Sequence, residues 1–179
     1  YYLTTALRFV TGASDAHTLY QTSALLATIA SGAAAYHLLG RKPFVTAHPS
    51  AAMRLQRLVG AAIYALAPFR VAEVYSRSSL SSHLAYLFVP LICAGVLGLF
   101  DAEVASRRRA AWLLGVSMAL TFLSSLPVLL VALLSLAVAG MAYVIAARKQ
   151  LERAALRSAL GYGALAGVLF LALVAYQVC

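Results

Sequence analysis

Residues 110–147 read AAWLLGVSMALTFLSSLPVLLVALLSLAVAGMAYVIAA, 38 positions without one charged side chain. The hydrocarbon core of a bilayer is about 30 Å thick and takes roughly 20 apolar helical residues to cross. One helix over the whole run would be about 57 Å long at 1.5 Å per residue, far more than a crossing needs. The other reading is two helices that turn at Ser124-Ser125-Leu126-Pro127, where two hydroxyls and a proline interrupt the apolar run.

Charge distribution decides between them. With a turn at Pro127 the chain has six spans, and three basic connections share one side. They carry Arg41, Lys42, Arg54 and Arg57, then Arg107, Arg108 and Arg109, then Arg148, Lys149, Arg153 and Arg157. The other side keeps Arg8 and Arg77, with Arg70 near that face. With one long helix the last basic group crosses over and the asymmetry vanishes. Lys and Arg of short loops stay on the inner side, so the turn is favoured. The expected fold is an all-α integral membrane protein, six transmembrane helices arranged as three hairpins with basic inner loops. The spans are expected at about 17–39, 58–75, 83–100, 110–126, 128–147 and 158–177, in one polytopic domain covering 1–179.

Composition agrees. The chain of 179 residues is 63% hydrophobic and 11% charged, with a mean hydropathy of +0.88. Soluble domains are about 45–50% apolar and about 25% charged. The net charge of +9 is spread between apolar runs, so it reads as topology and attraction to anionic headgroups, and no nucleic-acid partner is expected. Arg41, Lys42, Arg54, Arg57, Arg107, Arg108, Arg109, Arg148 and Lys149 are the expected headgroup contacts. Cys93 and Cys179 make no Cys-x-x-Cys or metal spacing. The chain opens on Tyr1-Tyr2 rather than Met, which raises the expectation of an upstream segment, and residues 1–10 read as interfacial.

Within the spans, local chemistry assigns further roles. Ser14 or Asp15 is expected to cap the first helix, and Gly40 with Pro43 to end it. Pro68 is expected to kink the second helix. Ala159, Gly163 and Gly167 recur every four residues in the last span, a small-xxx-small ridge for close helix packing. Arg70 and Glu73, three apart, share a helix face. With His83, Asp15 and His17 they form the polar intramembrane candidate, because ionisable groups in membrane segments are commonly functional. The plainer reading is an Arg70–Glu73 pair at a helix end with the others facing water.

Enzymatic signatures are absent. There is no Gly-rich phosphate loop, no His-Glu-x-x-His and no Gly-x-Ser-x-Gly. The last span has no Lys for a retinal Schiff base. Haem would need two histidines at one depth inside helices, whereas His17 and His83 fall at helix starts, His37 lies on the inner side and His48 lies in a loop. No cofactor is expected beyond bound phospholipid. Pro49, Pro68 and Pro90 lack the Pro-x-acid-x-x-base continuation of mitochondrial carriers. Leu58-Val59-Gly60-Ala61-Ala62-Ile63 is similar, over about five residues, to a Tyr-Val-Gly-Ala-Ile segment in the third helix of the J-type membrane subunit of respiratory complex I. That family continues with an apolar run, where Pro68, Arg70 and Glu73 stand here, and no function is carried over.

The expected function is a non-catalytic integral membrane subunit of a larger complex. An energy-transducing membrane, respiratory or of ATP synthase type, is the expected setting, with other membrane subunits as partners and a packing, assembly or lipid-contact role. The alternative is a small-solute or ion transporter or channel with its polar site at Arg70 and Glu73. Localisation is expected in a mitochondrial or bacterial inner membrane, basic loops on the matrix or cytoplasmic side and both termini opposite.

Overall fold

The computed structural model describes residues 15–41, 50–68, 70, 72, 80–100, 103–147 and 153–178, with Thr5, Arg8 and Gly12; side chains are described to 141 in the fifth helix and over 157–175 in the sixth. The described residues form six helices: α1 Ala16–Leu39, α2 Ala51–Ala65, α3 Leu80–Gly98, α4 Val104–Ser124, α5 Leu126–Ala147 and α6 Arg153–Val178. Three segments are long and apolar enough to cross a membrane: Ala16–Leu39, Leu80–Gly98 and Arg157–Ala175. Leu126–Met141, the part of α5 whose side chains are described, is apolar as well.

Helix ends follow local chemistry more closely than hydropathy. Asp15 caps α1 by accepting from the Thr18 amide at 2.9 Å and the Thr18 hydroxyl at 2.8 Å. Ser50 caps α2 through the Met53 amide at 3.2 Å, so α2 starts at Ala51, seven residues before the expected position 58. It stops at Ala65, three residues before Pro68; the helix breaks at Leu66 and Ala67, and Pro68, Arg70 and Ala72 are helical again. A residue before proline avoids the helical region, which ends the helix early. At 15 residues α2 is about 22 Å long, less than the bilayer core. The run 110–147 breaks at one extended residue, Ser125, and Pro127 falls in the first turn of α5, where a missing N–H costs nothing.

Burial is inverted relative to a water-soluble bundle. The buried stripe of α1 is Leu19, Ser23, Ala24, Ala27, Ser31, Ala34 and Ala35, while Leu25, Leu26 and Ile29 face outward. Leu134 is 68% exposed, and Leu130, Val131, Val138 and Met141 of α5 are exposed with it. Small residues inside and large aliphatics outside suit lipid, where close backbone approach drives helix association.

The helices pack in the order α2, α1, α3, α4, α6, with α5 lying more lightly against α3 and α4. Glycines set the closest crossings. A Cβ on Gly95 would sit 2.9 Å from Leu114 Cβ, one on Gly98 2.7 Å from Ala110 Cβ, and one on Gly115 2.8 Å from the Ala166 carbonyl. Beyond Gly115, Phe122 meets Phe170 edge-on at 5.8 Å. These pairs make α3 antiparallel to α4, and α4 parallel to α6.

Candidate functional site

The candidate site is built where α1, α2 and α3 meet. Ending α2 at Ala65 lets the chain turn, and the Arg70 amide donates to the Ala67 carbonyl at 2.9 Å. The Arg70 side chain is thereby delivered into the bundle and is fully buried. Its Nη1 donates to Ser31 Oγ of α1 at 2.7 Å and to the Tyr64 carbonyl at 3.3 Å. The Tyr64 and Tyr86 rings lie against the guanidinium, with Cζ 5.0 and 5.5 Å from their centroids. The Tyr64 ring is itself fixed, because its hydroxyl donates to the Tyr86 backbone carbonyl of α3 at 2.6 Å.

A polar ladder on α1 supports this cage. Ser31 Oγ donates to the Thr28 carbonyl at 2.9 Å, leaving its lone pairs for Arg70. Thr28 Oγ1 lies 2.9 Å from Nε2 of buried His83, which stands in the first turn of α3 within electrostatic reach of Arg70. Two gaps remain. Arg70 Nε and Nη2 and His83 Nδ1 are buried with no hydrogen-bond partner. A buried donor without a partner costs about 1–3 kcal/mol, more when charged, so such groups are rare unless something else meets them.

Next to the cage is a cavity of about 610 Å³ between α3 and α5. Val89, Cys93, Val128, Val131 and Leu136 make it largely apolar, with hydroxyls from Ser82, Ser125 and Ser135 at its wall. Tyr64 and Tyr86 line it too, so the cavity and the guanidinium cage share a wall.

The other sequence-derived candidates lie elsewhere. Asp15 is spent on the α1 cap, and its exposed carboxyl is held below the usual range, first by the Thr18 hydroxyl and then by the Thr18 and His17 amides. His17 is exposed, its Nε2 2.8 Å from Gln21 Nε2. Glu73 falls outside the described residues, as do Lys42, Arg148 and Lys149. Ala159 belongs to the α3–α4–α6 core, a Cβ on Gly163 would reach Leu99 at 3.9 Å, and one on Gly167 would meet nothing within 4 Å. Ala166 makes the close approach to α4.

Three basic residues tie helix ends together. Arg57 Nη2 donates to the Tyr36 carbonyl at 3.1 Å while its guanidinium stacks 4.2 Å from the Tyr36 ring, a second donor on a carbonyl that also accepts from the Gly40 amide at the end of α1. A Cβ on Gly98 would lie 3.0 Å from Arg41 Nη1, placing the end of α1 beside the end of α3. Arg107 of α4 donates to Ser158 Oγ of α6 at 2.5 Å. Arg54, Arg108 and Arg109 are exposed.

Among the described residues no group of three or more His, Cys, Asp or Glu is placed to hold a metal ion. Comparison with protein-family models, with curated proteins and with solved structures finds no match. The residues of the cage therefore carry the functional argument alone.

Proposed function

We propose that the chain is a six-span integral membrane protein that binds a small solute at Arg70 and passes it between α1, α2 and α3. The observation that carries this reading is a fully buried guanidinium with two unpartnered nitrogens. Burying a cation in a membrane bundle is costly, and such residues mark solute or ion paths. Tyr64, Tyr86 and Ser31 offset part of that cost, while Nε and Nη2 are buried without a partner.

Helix directions support the topology. The parallel course of α4 and α6 supports a reading in which α5, between them, runs back across the bundle. The contacts of Arg41, Arg57 and Arg107 bring the three basic connections toward one end, the arrangement expected of inner loops.

Reconstitution tests the function. Proteoliposomes holding the full chain are offered a panel of labelled ions and small organic solutes. Flux that Arg70→Gln abolishes while the variant still elutes as a folded species supports the proposal. Absence of flux for every solute would count against it.

A second reading, a non-catalytic subunit with a packing role in a larger complex, is favoured by α5. Its only buried apolar side chains among those described are Val128, Leu129 and Ala132, leaving a long aliphatic face for a neighbour or lipid. Extraction in mild detergent separates the two. A chain that migrates alone or as a small homo-oligomer defeats the subunit reading; stable co-migration with other membrane proteins defeats the first.

A further inference from the structure

The unpartnered nitrogens of Arg70 are not an arbitrary pair. A guanidinium has five N–H donors in a rigid planar fork, and the Nε–H and the neighbouring Nη2–H point the same way along one edge. Nη1, on the far side, is the nitrogen engaged by Ser31 and the Tyr64 carbonyl. The protein therefore satisfies one side of the guanidinium and leaves the two-donor edge, Nε and Nη2, without a partner and out of water. That edge matches the two oxygens of a carboxylate, which form parallel charge-assisted hydrogen bonds with it. Water serves such an edge less well, having one oxygen and no negative charge.

The surroundings indicate what the carboxylate is attached to. The rings of Tyr64 and Tyr86 that lie against the guanidinium also line the cavity of about 610 Å³. Its remaining wall is mainly aliphatic, from Val89 of α3 and Val128, Val131 and Leu136 of α5. Clefts of roughly 300–1,000 Å³ take organic ligands of moderate size, with a few polar groups fixing orientation, and this one is open on the side where Val131 and Ser135 are exposed. A compact anion would leave this space unused, and a neutral amphiphile would leave the donor edge unpaired.

We infer that the protein binds a monocarboxylate with an apolar body, its carboxylate on the Nε–Nη2 edge of Arg70 and its body reaching past Tyr64 and Tyr86, which line the α3–α5 cavity where Arg70 does not, into that cavity. This rests on the reading of Arg70 as the solute centre and names the class of solute.

The test measures binding without flux, so that it can fail separately from transport. The full chain in lipid nanodiscs is titrated with labelled phenylbutyrate. Phenylbutanol serves as the neutral analogue, and acetate and inorganic phosphate as compact competitors. Saturable phenylbutyrate binding is expected, weakened about tenfold or more by Arg70→Gln and by Arg70→Lys, which keeps the charge but loses the fork. Phenylbutanol binding is expected to be weaker and indifferent to both substitutions. Ser135→Phe, which fills the cavity from α5, is expected to weaken both phenyl ligands. If Arg70→Gln fails to fold, Arg70→Lys and Ser135→Phe still decide the matter. Phenylbutyrate affinity within twofold of the parent in the Arg70 variants would overturn the inference, and so would phosphate or acetate competing as well as phenylbutyrate. Indifference to Ser135→Phe would overturn the placing of the body. Flux that depends on Arg70 without any phenylbutyrate binding would defeat the inference and leave the transport reading standing.

Discussion

Arg70 donates to Ser31 Oγ across 39 positions of sequence at 2.7 Å, the shorter of the two hydrogen bonds to its guanidinium. The bond joins the segment beyond α2 to the middle of α1 and holds the charged centre in place. Ser31→Ala leaves Nη1 with only the longer contact to the Tyr64 carbonyl. A hydrogen bond to a charged group contributes about 1.5–3 kcal/mol, so a comparable loss of stability is expected. Thermal unfolding of the detergent-solubilised chain checks this, and an unchanged midpoint would mean that the bond does not hold the cage.

Arg70 itself should behave in the opposite way. Its guanidinium is desolvated and only half satisfied, and replacing incompletely compensated buried charge with an apolar group of similar size is often neutral or stabilising. Arg70→Met is expected to unfold at the parent temperature or above it while losing solute handling. Functional centres commonly trade stability for activity in this manner. A fall of several kcal/mol in the Met variant would make Arg70 a structural strut instead.

The glycines divide into two groups. Gly115→Ala brings a Cβ to 2.8 Å from the Ala166 carbonyl, and Gly95→Ala brings one to within 3.1 Å of the Leu114 backbone. Neither neighbour is a flexible side-chain end, so the helices must separate, at a cost of about 1–3 kcal/mol each. Gly140 and Gly161 would meet nothing within 4 Å, and Ala there should stabilise by about 0.5–1 kcal/mol through reduced chain freedom. Unfolding midpoints of the four variants should fall on either side of the parent.

The break near Pro127 was legible because proline and two serines interrupt a run that is otherwise uniform. The limits of α2 were harder to read. Apolar residues continue past Pro68 to Val71 and Val74, so hydropathy carries a span onward, whereas Ser50 and Pro68 act over one or two residues and fix the helix. Arg70 and His83 stood out as ionisable groups near the membrane, but their partners Ser31 and Thr28 looked like ordinary hydroxyls of a spanning helix. Only the crossing of α1 with α3 reveals that they face Arg70 and His83. The close crossings at Gly95, Gly98 and Gly115 lacked a regular small-residue ridge, since each glycine meets a different neighbour.

The cap of α1 gives a pH dependence of known sign. Hydrogen bonds from Thr18 and the His17 amide depress the Asp15 carboxyl below its ordinary value of 3.8. The folded chain thus binds a proton here less readily than the unfolded one, so the cap is fully in force above pH 3.8 and is lost as pH falls through the lower folded value. Hydrogen exchange at Thr18 and Leu19 should speed up below that pH in the parent. Asp15→Asn, which keeps an accepting oxygen without a titrating group, should show no such step. A step that persists in the Asn variant would assign it to another group.

Topology is tested most directly at the two ends of α4. Ser106 lies in its first turn beside Arg107, at the end where Arg107 meets Ser158 of α6; Ser125 lies past its last residue. Over its 21 residues α4 is about 31 Å long, close to a bilayer core. With Cys93 and Cys179 replaced by serine, single cysteines at positions 106 and 125 should react with a membrane-impermeant thiol reagent from opposite sides. The cysteine at 106 should be on the side of the basic connections, because three consecutive arginines resist translocation. Labelling of both positions from one side would mean that α4 does not cross. The return of α5 and the six-span arrangement would then fall with it, since both depend on Ser125 lying at the far end.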